Sequence, residues 1–313
     1  MISQAVILCG GSGTRMRDAG YLEPKFLQPL DGNTIAYYML RNLTQSGVKS
    51  IHLLLGENSD RILQSLPTLK KEFGLNINFT IEASPRGTGG ALLSSLEFLD
   101  EEFLLLHGDL LINTNLSEIL SIFDTTEADF AQIVHPSTHV FDSDLVVTNN
   151  QNSIVGYKTK PHTSEFTVRN LGNAGIYAFK REVFSDLDYI EQKIDLDRDL
   201  LPALVNKFSK GIAVRNREFI RDIGTPERLE KTMANFGEFE SAKSAKPAVF
   251  LDRDGTINKL NGFISTPEDM QLIEDVGASI HDLNKAGFLV IVITNQSVIA
   301  RGEATLETLN TIH

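Results

Sequence analysis

Two short apolar runs, each followed at once by a polar turn, constrain the fold of this chain more than any other feature. The first, Val6–Cys9, leads into a glycine-rich turn, and the second, Ala248–Leu251, leads into two aspartates one residue apart. Apolar runs of this length with turn signals behind them predict buried strands of an α/β sheet. Both turns would then lie at the carboxyl edge of a sheet, where α/β proteins bind ligands.

Length and charge narrow the class of protein. The 313 residues are enough for one large domain or two ordinary ones. The 29 basic and 41 acidic residues leave a net charge of −12, which argues against a nucleic-acid partner. No apolar run approaches the roughly 20 residues of a membrane helix, and the N-terminus is not typical of a signal peptide. With one cysteine and no membrane partner, we expect a cytoplasmic protein.

Strand-like and helix-like segments alternate along the first part of the chain. The predicted strands are Ala5–Leu8, Ser50–Leu55, Asn76–Ile81 and Phe103–His107, and the predicted helices are Thr34–Ser46, Ser59–Phe73 and Gly89–Leu99. This rhythm predicts an α/β fold with a Rossmann-like, mostly parallel sheet. Between residues 130 and 222 the pattern is more mixed, which favours an α+β elaboration that holds an acceptor substrate.

The sequence predicts two domains joined by a linker. Residues 1–236 form the first, and the small, polar, proline-ended segment 237–247 is typical of a linker. Residues 248–313 begin a second α/β domain but are too few to close a doubly wound core. We therefore expect an incomplete second domain.

The glycine-rich turn is a candidate phosphate site. Its glycines let backbone N–H groups approach phosphate oxygens, and a following arginine adds a matched cation. The residues are Gly10, Gly11, Ser12, Gly13, Thr14 and Arg15. The turn lacks the Gly-Lys-Ser/Thr of a Walker A loop, and Met16 stands where a dinucleotide fingerprint needs glycine. A plain strand-to-helix turn is the alternative.

A lysine and two aspartates extend this candidate site. Lys25 would add a second phosphate cation, and Asp109 and Asp222 each follow an apolar segment. Mg²⁺ prefers a few carboxylates together with substrate phosphates and water, so the two aspartates are candidate ligands. The alternative for each aspartate is a helix cap or a turn. We expect His107 to pack at the end of its strand.

Residues 1–236 resemble the sugar-phosphate nucleotidyltransferase family. The matching elements, in family order, are Gly10–Arg15, Pro24-Lys25, Gly87–Gly90, Gly108-Asp109, Lys160-Pro161, Asn173–Gly175 and Asp222–Pro226. The resemblance implies attack of a sugar 1-phosphate on the α-phosphorus of an NTP, with release of pyrophosphate. It also implies site residues: catalytic Arg15 and Lys25, Mg²⁺ ligands Asp109 and Asp222, nucleotide-binding Gly10–Thr14 and Gly87, and Lys160 and Asn173 on the sugar phosphate and sugar. Thr159 departs from the family, which has Glu there.

Glu82 bears on the choice of base. It falls where relatives in that family carry a base-reading side chain, and a carboxylate only accepts hydrogen bonds. Guanine offers two adjacent donors, whereas uracil and thymine suit an amide better. We therefore predict GTP as the nucleotide. The alternative is that Glu82 is an exposed charge at a strand end.

The second polar turn predicts a different chemistry. Asp252 is a candidate nucleophile towards phosphorus, and Asp254 a candidate acid and base. Both are also candidate Mg²⁺ ligands. The next predicted strand ends in Thr294 and Asn295, where the Thr hydroxyl would bind a phosphate oxygen.

Residues 247–313 resemble haloacid-dehalogenase-type phosphatases, through Asp252–Asn258, Thr294–Ser297 and Ile299–Gly302. The resemblance implies that further motifs of that family are missing, so we expect no phosphatase activity from this chain. The two resemblances together are similar to fused enzymes of nucleotide-activated heptose synthesis. They imply D-glycero-D-manno-heptose 1-phosphate as the acceptor. Mannose 1-phosphate or another hexose 1-phosphate with GTP, UTP or dTTP stays open, as does a non-catalytic nucleotide-sugar-binding protein. A homo-oligomer is compatible with the sequence.

Overall fold

The structure is a computed structural model that describes residues 2–11, 13–57, 59–136, 143–160, 169–185, 187, 193–207, 210–216, 218–241, 247–260 and 262–313. The chain divides into two compact units, Met1–Lys243 and Ser244–His313. We call them unit 1 and unit 2.

Unit 1 alternates strands and helices. Its strands are β1 (Gln4–Leu8), β2 (Pro29–Leu30), β3 (Asn33–Thr34), β4 (Ser50–Leu55), β5 (Asn76–Ile81), β6 (Glu102–His107), β7 (Leu110–Asn113), β8 (Phe130–His135), β9 (Leu145–Thr148), β10 (Ile154–Lys158), β11 (Gly172–Lys180), β12 (Gly211–Arg215) and β13 (Phe219–Asp222). Its helices are α1 (Thr14–Asp18), α2 (Ile35–Gln45), α3 (Asp60–Phe73), α4 (Gly87–Leu93), α5 (Leu116–Thr126), α6 (Leu201–Asn206), α7 (Pro226–Ala234) and α8 (Phe236–Ser241). Short 3₁₀ turns lie at Lys25–Leu27, Leu96–Phe98 and Arg181–Phe184, and a π-helical turn at Leu196–Leu200 precedes α6.

Within the described residues, a nine-stranded sheet forms the centre of unit 1. Strands β6, β1, β4 and β5 run parallel side by side, as the alternating pattern of the sequence predicts. β11 then pairs antiparallel with β6, and it joins β8, β9, β10 and β12 to the sheet. The predicted α/β class and parallel strand set are confirmed, and the mixed pattern after residue 130 corresponds to the antiparallel part.

Both faces of this sheet are buried. In β6, Leu104 and Leu106 pack into one apolar cluster with residues of α2, α3 and α5, whereas Phe103 and Leu105 pack into another with residues of α4 and α6. All four side chains are fully buried. An uninterrupted apolar run is what a strand covered on both faces requires.

A short ribbon carries the end of unit 1 back to the carboxyl edge of the sheet. β7 pairs antiparallel with β13, so that Asp222 lies opposite Leu110. α8 follows α7, and its Phe239 is fully buried. The Asn113 side-chain amide donates to the Phe239 carbonyl at 2.6 Å. The sequence predicts a linker from residue 237, but residues 237–241 belong to α8 because Phe239 anchors them in the core.

Unit 2 contains β14 (Ala248–Leu251), α9 (Val276–Lys285), β15 (Leu289–Val292), α10 (Ser297–Ala300) and α11 (Leu306–Ile312), with a 3₁₀ turn at Pro267–Asp269. β14 and β15 run parallel, in register from Ala248 opposite Leu289. Much of their apolar surface is open: Phe250 is 62% exposed and Val292 48%. A parallel pair normally has both faces covered, so unit 2 presents an incompletely covered sheet.

Among the helices that the structure describes, none combines the length and apolar character that crossing a membrane requires.

Candidate active site

The glycine-rich turn joins β1 to α1. β1 ends at Leu8, and Gly13 at the start of α1 has a positive φ of 61°, a conformation that favours glycine. The turn also packs closely against the end of β4, because a Cβ added to Gly56 would lie 2.8 Å from the Gly10 carbonyl oxygen. Ser12 lies outside the described residues.

A cleft opens beside this turn. It consists of two overlapping cavities of about 390 and 560 Å³, and Gly10, Gly11, Lys25 and Glu82 line both of them. Further residues of the smaller cavity are Gly13, Arg17, Glu57 and Arg61. Further residues of the larger one are Gly87, Thr88, His107, Asp109 and Lys193. Cavities of this size accommodate small-molecule ligands.

Two of the predicted aspartates meet beside Lys25. Asp109 directly precedes β7 and Asp222 ends β13, and the Ile223 N–H donates to the Asp109 carbonyl at 2.9 Å. The Lys25 ammonium donates to Asp109 Oδ2 at 2.9 Å. Asp222 accepts from its neighbour Gly224 N–H at 2.5 Å and is paired with Arg228. The β7–β13 ribbon therefore brings together groups that are more than a hundred residues apart in sequence.

Gly224 marks the point on which these groups converge. A Cβ added there would lie 2.8 Å from Asp109 Oδ2, 2.8 Å from Asp222 Oδ1 and 2.9 Å from Lys25 Nζ. In the described part of the chain, no group of three or more His, Cys, Asp or Glu side chains is arranged to hold a metal ion. Two convergent carboxylates nevertheless fit Mg²⁺, which completes its shell with substrate phosphates and water.

Asn173 lies in a buried polar network beside the cleft. Its amide donates to Asp197 Oδ1 at 2.8 Å and to the Tyr177 hydroxyl at 2.7 Å, and its carbonyl accepts from Gly175 N–H at 2.9 Å. The Tyr177 hydroxyl also donates to Asp197 Oδ1. Burial raises the pKa of Asp197, although His107 and the hydrogen bonds from Tyr177 and Asn173 oppose this effect. Both amide hydrogens of Asn173 thus contact protein.

The first turn of α4, Gly87–Gly90, packs against the segment that carries Asp197 and is hydrogen-bonded to it. The N–H groups of Gly89 and Gly90 donate to the Ile194 carbonyl at 2.9 and 3.2 Å, and the Thr88 hydroxyl accepts from Leu196 N–H at 2.8 Å. A Cβ added to Gly87 would lie 2.4 Å from the Ile194 carbonyl oxygen. The glycines therefore permit close backbone packing beside Lys193, which lines the larger cavity.

The nucleotidyl transferase family matches residues 4–238, which is well over half of the 313 residues. The chain belongs to the nucleotidyl transferase family. Over 228 residues it is 28% identical to the D-glycero-alpha-D-manno-heptose 1-phosphate guanylyltransferase of Campylobacter jejuni, covering 72% of this chain and 96% of that protein. Over 224 residues it is 26% identical to the bifunctional protein GlmU of Methanocaldococcus jannaschii, covering 71% of this chain and 51% of that protein. This chain therefore spans about half the length of that relative.

A solved structure has the same fold. HddC from Yersinia pseudotuberculosis, complexed with GMP-PN, aligns with a TM-score of 0.62 at 24% identity, covering 75% of this chain and all of that one. The alignment supports the α/β architecture of unit 1.

Two residues that the sequence singles out are not among those that line the two cavities. Arg15 is exposed on α1, and the arginine of that helix that lines the smaller cavity is Arg17. Lys160 is exposed after β10, where its backbone N–H donates to the Asp144 carboxylate at 3.0 Å. Roles for Arg15 and Lys160 at the phosphates stay predictions.

Glu82 lies between the two cavities. Its Oε1 accepts from Arg86 N–H at 3.3 Å, and its Oε2 would be 3.4 Å from a Cβ added to Gly10. Burial raises the pKa of Glu82, and the Arg86 N–H and guanidinium partly oppose this effect. A carboxylate beside the glycine-rich turn is placed to accept hydrogen bonds from a ligand.

Three residues at or beside the cleft are not among the candidates that the sequence indicates. Arg17 and Lys193 line the cleft, and Asp197 lies beside it. Asp197 is part of Asp195–Asp199, whose three alternating aspartates are a visible but ambiguous signal. His107 packs at the end of β6 against Gly175, as expected, and it also lines the larger cavity.

Unit 2 gathers its predicted residues around a buried arginine. Arg253, 2% exposed, donates to both carboxylate oxygens of Asp254 at 2.9 and 3.1 Å and to the Gln296 side-chain carbonyl at 2.7 Å. The Gln296 amide donates to Asp254 and to the Thr294 hydroxyl. Burial raises the pKa of Asp254, but hydrogen bonds from Arg253, Gln296 and Asn258 outweigh this and lower it overall.

The other predicted residues of unit 2 lie at the two strand ends. Asp252 follows β14 and accepts from Arg253 N–H at 2.7 Å, and Asn295 follows Thr294 beyond β15. Their roles in phosphate or metal binding stay predictions.

Proposed function

We propose that the chain is a sugar 1-phosphate nucleotidyltransferase that joins D-glycero-D-manno-heptose 1-phosphate to the GMP part of GTP. A phosphate oxygen of the sugar 1-phosphate forms a bond to the α-phosphorus, and the bond from that phosphorus to pyrophosphate breaks. Because the attacking oxygen is already anionic, the reaction requires no proton transfer. The protein contributes positioning and charge neutralisation.

The convergence of Lys25, Asp109 and Asp222 around Gly224 carries this proposal. Asp109 and Asp222 would hold Mg²⁺, which when bound supplies positive charge to the phosphates. The Lys25 ammonium lies close enough to neutralise a phosphate oxygen at the same point. Arg17 and the glycine-rich turn line the adjoining cavity, where the rest of the triphosphate fits.

GTP is proposed as the nucleotide because of Glu82. An ionised carboxylate accepts but does not donate, so it matches the adjacent N1–H and 2-amino donors of guanine. The C. jejuni relative is named a guanylyltransferase of heptose 1-phosphate, and this supports both the base and the sugar.

For unit 2 we expect no phosphatase turnover from this chain. Arg253 donates to both carboxylate oxygens of Asp254, and the Gln296 amide donates to Asp254 as well, so protein groups already engage the predicted acid and base.

Pyrophosphate release tests the proposal. The protein with Mg²⁺ is offered GTP, ATP, UTP, CTP and dTTP, each with heptose, mannose and glucose 1-phosphate. We expect release with GTP and heptose 1-phosphate, and its loss on Asp109→Asn. Turnover of mannose 1-phosphate or another base instead would overturn the substrate assignment. If no nucleotide and sugar pair released pyrophosphate, the proposed activity would be overturned, and a nucleotide-sugar-binding protein would be favoured.

A further inference from the structure

His107 is held in one orientation at the wall of the larger cavity. Its ring lies against Gly175, where an added Cβ would be 3.4 Å from His107 Cδ2. On the other side, Nε2 lies 3.6 Å from Asp197 Oδ2. Because Cδ2 and Nε2 face protein, the Nδ1–Cε1 edge is the part of the ring left for the cavity that His107 lines.

The Nε2 atom of His107 is buried, and it has no hydrogen-bond partner among the described residues. A buried polar atom without a hydrogen-bond partner is destabilising. The 3.6 Å separation from Asp197 is just beyond hydrogen-bonding distance, so a small movement of the ring would satisfy the atom. A ligand that engages the opposite edge of the ring would favour that movement.

Asp197 is fixed from three sides. Asn173 and Tyr177 both donate to its Oδ1, which leaves Oδ2 towards His107. The Thr88 hydroxyl accepts from the N–H of Leu196, which fixes the backbone directly before Asp197. The Asp197 side chain is still 23% exposed, and that of His107 is 26% exposed. A rigid carboxylate therefore directs a histidine that remains accessible from the cleft.

The chemistry of this pair selects a type of ligand atom. The Asp197 oxygen Oδ2 is an acceptor, so Nε2, the ring nitrogen beside it, is the one placed to donate. Nδ1 is then an acceptor towards the cavity. A phosphate oxygen, which is also an acceptor, does not satisfy it, whereas a hydroxyl group donates to it.

We propose that His107 binds a ring hydroxyl of the acceptor sugar through Nδ1, and that Asp197 is the positioning residue that sets its tautomer and orientation. Asn173 then acts through Asp197 instead of contacting the sugar directly. This inference rests on the proposed function, because it assumes a sugar 1-phosphate in the larger cavity. It identifies the pair as a determinant of sugar specificity.

Steady-state kinetics of the whole chain tests the inference. His107→Phe keeps a ring against Gly175 and removes both nitrogens, and Asp197→Asn removes the charge while keeping the shape. We expect each variant to raise the KM for the sugar 1-phosphate about tenfold, as the loss of a hydrogen bond worth about 1.4 kcal/mol predicts. The KM for GTP and the kcat should change less than twofold. The double variant should lose no more than the larger single effect.

Monodeoxy analogues of the sugar 1-phosphate identify the hydroxyl. With wild-type protein, one analogue should show the same tenfold rise in KM, and with His107→Phe that analogue should show no further rise. Matched controls are His52→Phe, a buried histidine that contacts Thr80 and Phe98, and Asp199→Asn in the same helical segment as Asp197. Circular dichroism and thermal midpoints establish that each variant is folded.

The outcomes separate this inference from the proposed function. Wild-type turnover with a sugar KM unchanged within twofold in Asp197→Asn would overturn the inference alone, and so would an equal rise in the KM for GTP. If His107→Phe does not fold, Asp197→Asn and the monodeoxy analogues still test the inference. Absence of wild-type turnover with any sugar 1-phosphate would overturn the proposed function, and this inference with it.

Discussion

Units 1 and 2 both place an aspartate just after a strand, yet they surround it differently. In unit 1 the preceding strand β6 is buried on both faces, and the cation beside Asp109 is Lys25, 84 residues away. In unit 2 the strands are partly open, and the cation beside Asp254 is its neighbour Arg253. The local pattern is shared, but in unit 1 the fold also brings a cation and a second carboxylate from distant segments to a cleft.

The largest expected effect is loss of turnover on Asp109→Asn. Removing a group that neutralises charge on the reacting phosphates should lower kcat/KM for pyrophosphate release by about 10³-fold. The matched change in the other unit, Asp252→Asn, should leave kcat/KM within twofold. Equal losses in both variants would contradict the assignment of the reaction to unit 1.

Gly224→Ala probes the same convergence without removing a charge. The added methyl would lie 2.8 Å from both carboxylates and 2.9 Å from Lys25 Nζ, so these groups must separate. We expect kcat to fall by about 100-fold, since misplacement by about 1 Å has effects of that size. Gly237→Ala is the control, because its Cβ would meet nothing within 4 Å. Retention of full activity in Gly224→Ala would show that the convergence is not the reacting centre.

The sequence predicts the alternating elements and the carboxyl edge well, because buried strands and amphipathic helices have distinct periods. It also indicates Lys25, Asp109, Asp222 and Glu82, all of which the fold brings to the cleft or its margin. It gives only an ambiguous signal for Asp197 and none for Lys193, because hydrogen bonds between two distant backbone segments position these residues. No spacing in the chain encodes that contact, and the lack of a side chain at Gly87 and Gly89 reveals it only once the structure is known.

At the C-terminal end of unit 1, the sequence predicts a linker where the structure has the helix α8. The small, polar residues after Phe236 favour a linker, and the composition of that segment conceals one buried aromatic, Phe239. Phe239 and the partly buried Phe236 pack α8 against the unit, and composition averaged over the segment does not detect these contacts. For Arg15, local sequence gives the residue type but not the direction in which a short helix presents it.

Arg253→Met should loosen unit 2 and leave unit 1 unchanged. Arg253 is buried and gives Asp254 two hydrogen bonds, so its removal leaves a carboxylate without its main partner. We expect a loss of about 2 kcal/mol in the protection of unit 2 amides, measured by native-state hydrogen exchange. Arg301→Met, which removes an exposed arginine stacked on Phe263 at 4.2 Å, should have an effect of at most about 1 kcal/mol. Equal protection in Arg253→Met and wild type would show that the ion pair does not support unit 2.

Glu82→Gln should weaken selection of the base. An amide pairs less well with the two guanine donors, so we expect the KM for GTP to rise about tenfold and discrimination against UTP to fall. Because burial raises the pKa of Glu82, the wild-type KM for GTP should also rise as the pH is lowered into mildly acidic solution. The Glu82→Gln variant should lack that pH dependence. If the variant and wild type shared one pH profile, Glu82 would not be the group that reads the base.

The smallest expected effect concerns stability, and it has opposite signs in the two units. The folded-state pKa of Asp197 is raised, so its ionisation lowers stability as the pH rises through that pKa. Asp197→Asn should therefore raise the thermal midpoint at pH 7.5, and the gain should shrink as the pH is lowered towards the unfolded-state pKa of about 3.9.

The folded-state pKa of Asp254 is lowered, so its ionisation adds stability that is lost as the pH falls through that pKa. Asp254→Asn should accordingly destabilise unit 2 at pH 7.5. A gain in stability from Asp197→Asn, together with a higher KM for the sugar 1-phosphate, would show that unit 1 retains this carboxylate for function. A loss in stability would instead give Asp197 the structural role that Asp254 has in unit 2.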